Sequence, residues 1–578
     1  MSAAKFSNRL RPVLYSSTLV LAAFLTAQSA IAQVSTTGSV TSIGASPAGA
    51  TQNVNTLSTV GFAAPGTATV TGAGTVLNIF DGVNPDASLR VGSDLGDGRL
   101  VVNNGAVLNV TATSLGSDDA LLFISNSGSS AVTSQAGTVI LGDDPSTGAV
   151  ETTGFLAITS GNDDAILSVG RTGLGVLDIN NSSIRVEATG PGTSDSALFE
   201  IGGSSTISTA ASQGTVTATT SNVQVISTGA GASVVSVGRG TDTVINNNPA
   251  TAPENTLLTD GNSIFNVNAT GTGTASFNLG RDGTRGTATI TGTSTLNVDD
   301  LVQIGRDGGF GTMNVQSNAF VNNVSVGGLN ETRVGMDGGT GTLNVTGNGI
   351  YNTDTVDIGI DADTVSAPVS TGTVNISGGG VLNATDTIRV GSDATSNGTL
   401  NIGDNPTTGG VESGGTANAH TVIVGRAQGS TGTVNVSGPG ANISLSGSAP
   451  GPVPGDTDGA VLSVGSRGTA VLNVNNGGSI AIAPGTPTGP GGLTGGMIIG
   501  GSRANPIGSG NGTVNVDGVG SNITFSNANG QGGATQIGRD GTGVLNITNG
   551  GTVNAAVQDV SAVGRKAGSS GTVTIDGA

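Results

Sequence analysis

Along most of the chain the apolar residues alternate with polar ones in short runs. In Gly341-Thr-Leu-Asn-Val345, Leu343 and Val345 fall on one side, and Thr342 and Asn344 on the other. Alternation with period two predicts a short strand with one buried face. The run belongs to a block that recurs: an aliphatic-Gly step, a polar Gly-rich turn, then Gly-Thr-aliphatic-Asn-aliphatic. The clearest copies are Ile304-Gly-Arg-Asp-Gly-Gly-Phe-Gly-Thr-Met-Asn-Val315, Val334-Gly-Met-Asp-Gly-Gly-Thr-Gly-Thr-Leu-Asn-Val345, Val464-Gly-Ser-Arg-Gly-Thr-Ala-Val-Leu-Asn-Val474 and Ile537-Gly-Arg-Asp-Gly-Thr-Gly-Val-Leu-Asn-Ile547. Looser copies begin at Val169, Leu279, Ile358, Val390, Val424, Ile499 and Val563. A second strand follows a Gly turn, as in Gly378-Gly-Gly-Val-Leu-Asn-Ala384, and a third leads into the next step, as in Asp386-Thr-Ile-Arg-Val-Gly391. Two or three short strands per repeat, parted by glycine corners, describe one coil of a β-helix.

One coil cannot bury its aliphatic row; stacked coils can, each touching only its neighbours. The repeat therefore predicts an all-β chain, a parallel β-helix or β-solenoid, right-handed by the general hand of crossover connections. With coils of about 25 residues, the chain after its leader gives on the order of 20 coils and a rod about 100 Å long. Residues 66–578 make the repeat region, and 33–65 are less regular, reading as an N-terminal cap or linker. The Pro/Gly-rich stretches 448–458 and 484–495 interrupt the repeat and read as protruding loops, the usual place for binding residues.

Residues 1–32 break the pattern. Lys5, Arg9 and Arg11 precede the apolar run Val13–Leu25, and Ala30-Ile31-Ala32 follows. That is the layout of a secretory signal, with cleavage expected between Ala32 and Gln33. The apolar run is short for the roughly 20 residues of a membrane span. Export without any Cys means that stability comes from backbone ladders and aliphatic burial rather than disulfides.

Composition narrows the chemistry. Of 578 residues 100 are Gly, charged residues are 10%, aromatics are 2%, and Lys+Arg number 19 against 38 Asp+Glu. Collagen is excluded because Gly is not at every third place. A nucleic-acid interface is excluded because no basic patch is present. Thiolate metal sites and Cys nucleophiles are absent with Cys. The one histidine, His420, lies just before a repeat strand, with no Gly-x-Ser-x-Gly elbow in a strand-turn-helix setting, and reads as a turn or strand-edge residue rather than a general base. The pairs Asp118-Asp119, Asp143-Asp144, Asp163-Asp164 and Asp299-Asp300 put neighbours on opposite faces and read as solvated turns rather than acid/base dyads. Asp456-Thr-Asp-Gly459 resembles part of a calcium loop without its remaining ligands. Asp282, Asp307, Asp337 and Asp540 recur at one place in the repeat. Arg281, Arg306 and Arg539 precede three of them, which predicts an alternating surface ladder. Asn314, Asn344, Asn375, Asn435, Asn473, Asn515 and Asn546 are expected to form outward polar rows. The Gly-rich turns lack the helix and the Lys of a phosphate loop. No catalytic, cofactor or metal residue is assigned, and no cofactor is expected.

The Val-Gly-x-x-Gly-x-Gly-Thr-Leu-Asn-Val blocks, over roughly residues 60–578, resemble the repeats of bacterial autotransporter (type V secretion) passengers, in particular the type V/PEP-CTERM-associated repeat family. The resemblance implies a β-helix passenger exported to the cell surface or outer membrane of a Gram-negative bacterium, or secreted from it. It also implies an outer-membrane translocator as partner, and a ligand on a host or neighbouring cell. Gly571-Thr-Val-Thr-Ile-Asp-Gly-Ala578 ends inside a repeat block, with neither a translocator barrel nor a Pro-Glu-Pro signal, which points to a fragment or a separate passenger, or else to an export route other than the family's usual one. The expected function is non-enzymatic: adhesion, aggregation or surface coating. The alternatives are a carbohydrate-active β-helix enzyme using Asp, or a stalk presenting another domain.

Overall fold

The computed structural model describes residues 33–577 except 42, 48, 82–85, 94–95, 114–117, 127–135, 194, 204–211, 241–253, 325–329, 362–368, 405–413, 448–459, 484–494, 502–509, 527–532 and 556–557. The leader at 1–32, the segment Asp456–Gly459 and nearly all of the two Pro/Gly-rich stretches lie outside the described residues.

The chain is a parallel β-helix with three faces. Each coil lays down one strand per face, for example Gly66–Thr71, Val76–Phe80 and Ala87–Ser93. Strands of successive coils pair in parallel, face upon face. The first face is a 17-stranded sheet, in which Gln33–Gly38 lies antiparallel to Gly66–Thr71 and the other strands run parallel. The second and third faces merge into one sheet of 31 strands, because Ile350–Ile360 and Val381–Val390 run across the corner between them. Sixteen parallel strands at about 4.8 Å spacing give a stack about 75 Å long. That is shorter than the sequence suggests, because coils are longer: residues stacked on neighbouring coils of the first face lie 25 to 42 positions apart. The extra residues go into corners, which parallel pairing leaves free in length.

Period two places the aliphatics inside. Leu343 and Val345 are fully buried, while Thr342 and Asn344 are half-buried on the outer side. The inner column above and below Leu343 holds Met313, Val374 and Leu400, each contributing about 1.5–3 kcal/mol by leaving water. The largest of the fully buried side chains are aromatic. Phe199 stacks on Phe265 at 5.9 Å between ring centroids, and Phe265 meets Phe277 edge-on at 6.5 Å. The phenol of Tyr351, fully buried, is 2.8 Å from the Thr332 hydroxyl, which satisfies it.

Two glycine columns shape the corner between the third and first faces. Gly335 takes a left-handed φ of +72°, and a Cβ there would collide with the Thr371 carbonyl of the next coil. At Gly341 a Cβ would collide with the Ile304 carbonyl of the coil below. The Gly341 column is broken at Asn255, which is 1% exposed. Its side chain accepts from Gly214 N–H at 2.9 Å and donates to the Arg285 carbonyl at 3.0 Å. An amide thus replaces the tight corner by bridging to the coils on either side.

Candidate functional site

Four groups of polar side chains are ordered by the stacking. The first is an acidic corner between the second and third faces. Ala87, Ala120, Ala165 and Ala197 stand in register. The residues before them, Asp86, Asp119, Asp164 and Ser196, therefore form a column. Each accepts a backbone N–H from the coil above: Asp119 N–H to Asp86 at 3.3 Å, Asp164 N–H to Asp119 at 3.2 Å, Ser196 N–H to Asp164 at 2.8 Å, Ala232 N–H to Ser196 at 3.3 Å. Parallel coils leave these corner amides without a strand partner, and the carboxylates supply one. Asp163 joins the column, and carboxylate oxygens of Asp119, Asp163 and Asp164 lie within 4.8 Å of one another. Burial, then repulsion from Asp163, Asp164 and Asp86, pushes the Asp119 carboxyl up to about 7. Burial raises Asp164 as well, with Asp163 and Asp195 adding to it. This corrects the expectation of separate solvated turns. Asp163 and Asp164 lie in a corner rather than a strand, so the alternation of a strand does not part them, and Asp119 of the coil below converges on both. The three oxygens suit a shared proton or a hard cation.

Asp144 departs from a solvated turn in another way. It is 2% exposed and paired with Arg99. Burial alone would raise its carboxyl, but hydrogen bonds from Arg99 and Ser146 outweigh that and hold it below the usual range. Burial, then Asp300, raises Asp299.

The second group crosses the outer side of the third face. Arg333 donates to Glu331 at 2.6 Å; Arg389 and Ser392 reach Asp357 at 3.2 and 3.1 Å; Arg426 pairs with Asp393 at 3.4 Å. Asp357 is 1% exposed. Burial and its hydrogen bond to Glu331 raise the Asp357 carboxyl against the pull of Arg389. Despite its burial, Glu331 is held below its usual range, by Asp357 and then Arg333.

The third group is the turn ladder read from the sequence. Arg281 lies 3.3 Å from Asp282 and 3.2 Å from Asp307; Arg306 lies 3.0 Å from Asp307 and 3.7 Å from Asp337. Near the other end Arg539 and Lys566 flank Asp540 at 3.4 and 2.6 Å. Asp282, Asp307 and Asp337 take φ of 56°, 52° and 48°, a backbone that Asp tolerates better than most residues.

The fourth group is the asparagines. On the outer side of the first face, Asn344 donates to Asn314, Asn375 to Asn344, Asn401 to Asn375 and Asn435 to Asn401, each at 2.8 Å. Asn473, Asn515 and Asn546 continue the row at 2.8, 2.8 and 2.9 Å. The sequence reading missed Asn401, although Thr399-Leu-Asn-Ile402 carries the motif. It also missed a row on the second face, where Asn297, Asn322, Asn352, Asn383 and Asn418 follow Asn266 at 2.7 to 2.9 Å.

His420 is 5% exposed at the corner between Thr416–Ala419 and Thr421–Val424. Its Nδ1–H donates to the Ser446 carbonyl at 2.9 Å, which fixes the ring as a corner brace. A hollow of about 320 Å³ is lined by Gly105, Ala106, Thr153, Gly154, Phe155 and Ser183, none of them titratable.

No protein-family model matches the chain. No curated protein matches it either. Among solved structures it is similar to the crystal structure of a TibC-catalysed, hyper-glycosylated TibA fragment. The two are 14% identical, over 71% of this chain and 99% of that one, at a TM-score of 0.19. A likeness so distant carries no argument about function.

Proposed function

We propose that the chain is the β-helical passenger of an autotransporter-like surface protein of a Gram-negative bacterium. It acts without catalysis, in adhesion, aggregation or surface coating, and an outer-membrane translocator is its export partner. The observation that carries this reading is the use to which the polar side chains are put. The asparagine rows, the turn ladder and His420 each bind the neighbouring coil, so the outer surface is built for length and repetition. The signal-like layout of residues 1–32 supports export. The test is surface display: the chain joined to a translocator barrel, expressed in a Gram-negative host. Cell-surface labelling together with clumping or adhesion of intact cells is the expected result. A chain that stays inside the cell, or is displayed without altering cell contacts, overturns it.

The convergence of Asp119, Asp163 and Asp164 within 4.8 Å favours a second reading, the Asp-based carbohydrate enzyme. Glycoside cleavage uses a pair of carboxyl groups of which one is kept protonated as the acid, and the Asp119 carboxyl is pushed up to about 7 by burial beside its acidic neighbours. Release of reducing ends from polysaccharide by the purified chain, lost in Asp119→Asn, would replace the first reading with this one.

A further inference from the structure

The outer side of the first face is a lattice. The blocks Thr340-Gly-Thr342-Leu-Asn344, Thr371-Gly-Thr373-Val-Asn375 and Thr431-Gly-Thr433-Val-Asn435 align residue for residue with their neighbours. No register slip interrupts the columns from Phe310 to Thr548. The side chains therefore repeat about every 4.8 Å along the rod and about every 6.7 Å along each strand. From Thr287 to Asn546 the two central columns hold Thr, Asn and Val and no charged residue, although the chain as a whole carries a formal charge of −19.

The two columns differ in their bonding. Thr312, Thr342, Thr373, Thr399 and Thr433 are half-buried, and their hydroxyls make no hydrogen bond among the described residues. Each amide of the row spends one N–H and one oxygen lone pair on its neighbours along the axis. A second N–H and a second lone pair remain on each. The row is thus held rigid by its own bonds while its spare groups repeat with the coil.

A neutral, rigid, two-dimensional array of donors, acceptors and methyl groups gains little from a single soluble molecule, because each contact only replaces one with liquid water. It gains from a partner that is itself periodic, where contacts made rung after rung add without new ordering cost. The partner must be uncharged, hydrogen-bonded in both senses, and repeat at nearly these distances. The oxygen lattice on a prism face of ice has those properties. A crystalline polysaccharide fits less well, since aromatic platforms are missing from the array save Phe310 at its edge.

We propose that the first face binds ice. Its Thr and Asn columns hold a sheet of ordered water that continues into the crystal. The inference is independent of the passenger reading, since it concerns the purified chain alone. The experiment grows single ice crystals in solutions of the purified full chain at micromolar concentration and measures the gap between melting and growth temperatures, together with recrystallisation of polycrystalline ice. A measurable gap, faceted crystals and arrested recrystallisation are expected. Thr342→Lys with Thr373→Lys should abolish all three, while Ser444→Lys on the second face should leave them intact; circular dichroism should match the parent in both. Thr342→Val with Thr373→Val, which keeps the shape, serves if the lysines disturb folding and should reduce the gap several-fold. Ice growth identical to that in serum albumin at equal concentration overturns the proposal, as does full activity of the folded lysine variant. Sedimentation with crystalline cellulose or chitin, without any effect on ice, overturns it as well.

Discussion

The coils before residue 260 and those after 285 share one backbone plan but differ in what they show outside. In the early coils the outer side of the first face mixes Arg99, Val101, Ile140, Asp178 and Leu258 with scattered threonines, and acids gather at the corner between the second and third faces. In the later coils the same positions settle into Thr and Asn over eight successive rungs, with Val only at 471 and 544, joined by amide bonds of 2.8 to 2.9 Å. Inner columns are aliphatic in both. The hydrophobic stack therefore specifies the fold alone, and the outer columns vary independently of it. Where they become regular, they stabilise the stack from outside and present a repeating surface.

The comparison breaks most severely at the glycine corner. Gly341→Val forces a side chain onto the Ile304 backbone carbonyl, and the expected cost is about 3 kcal/mol or more. Gly161→Val meets only the Ala112 carbonyl at 3.6 Å from its Cβ and should cost far less; chemical denaturation of the two variants gives the ordering. Next come the amides. Asn435→Ala removes two bonds from the interior of an eight-membered row, for a loss of about 1–2 kcal/mol. Asn78→Ala removes two from a row of three. If neighbouring amides polarise one another, the first loss exceeds the second; equal losses reduce the long row to independent pairs.

A smaller effect separates the two regions by pH. The Asp119 carboxyl, raised from 3.8 to about 7 by burial and its acidic neighbours, favours the folded state most when protonated. Its contribution is full below pH 3.8 and fades as pH rises through 7. Amide exchange at Ala120 and Ala165 should therefore quicken between pH 5 and 8 by more than intrinsic exchange accounts for, and Asp119→Asn should flatten that rise. Smallest is the turn ladder: Arg306→Ala breaks contacts with Asp307 and Asp337 on the surface and should change stability by about 0–1 kcal/mol.

The repeat makes the fold legible. Alternation in Gly-Thr-Leu-Asn-Val and glycine at the corners name the strands, the buried side and the parallel stacking before any coordinates. The ladder of Arg281, Arg306 and their acids is legible for the same reason, since its members keep one place in the motif. What is not legible is whatever depends on which residues of different coils meet. Asp119 and Asp164 are 45 positions apart, and the corners between them vary in length, so no local pattern announces their contact. Asn255 is hidden likewise, because an amide at a glycine position reads as an ordinary substitution until the neighbouring coils are in place. The number of coils was overestimated because the shortest repeats, near residue 300, are also the most regular ones.

The direction of the ladders has a mechanical consequence. Hydrogen bonds between coils lie along the rod rather than across it, so tension applied at the two ends loads one rung at a time instead of shearing many together. A coil that lets go frees the stretch of chain between stacked positions, 25 to 42 residues along the asparagine row, or about 85–140 Å of contour, for the loss of a single 4.8 Å step. The rod then gives under a pull as a sequence of small, separate yields, each absorbing work and leaving the coils beneath it folded.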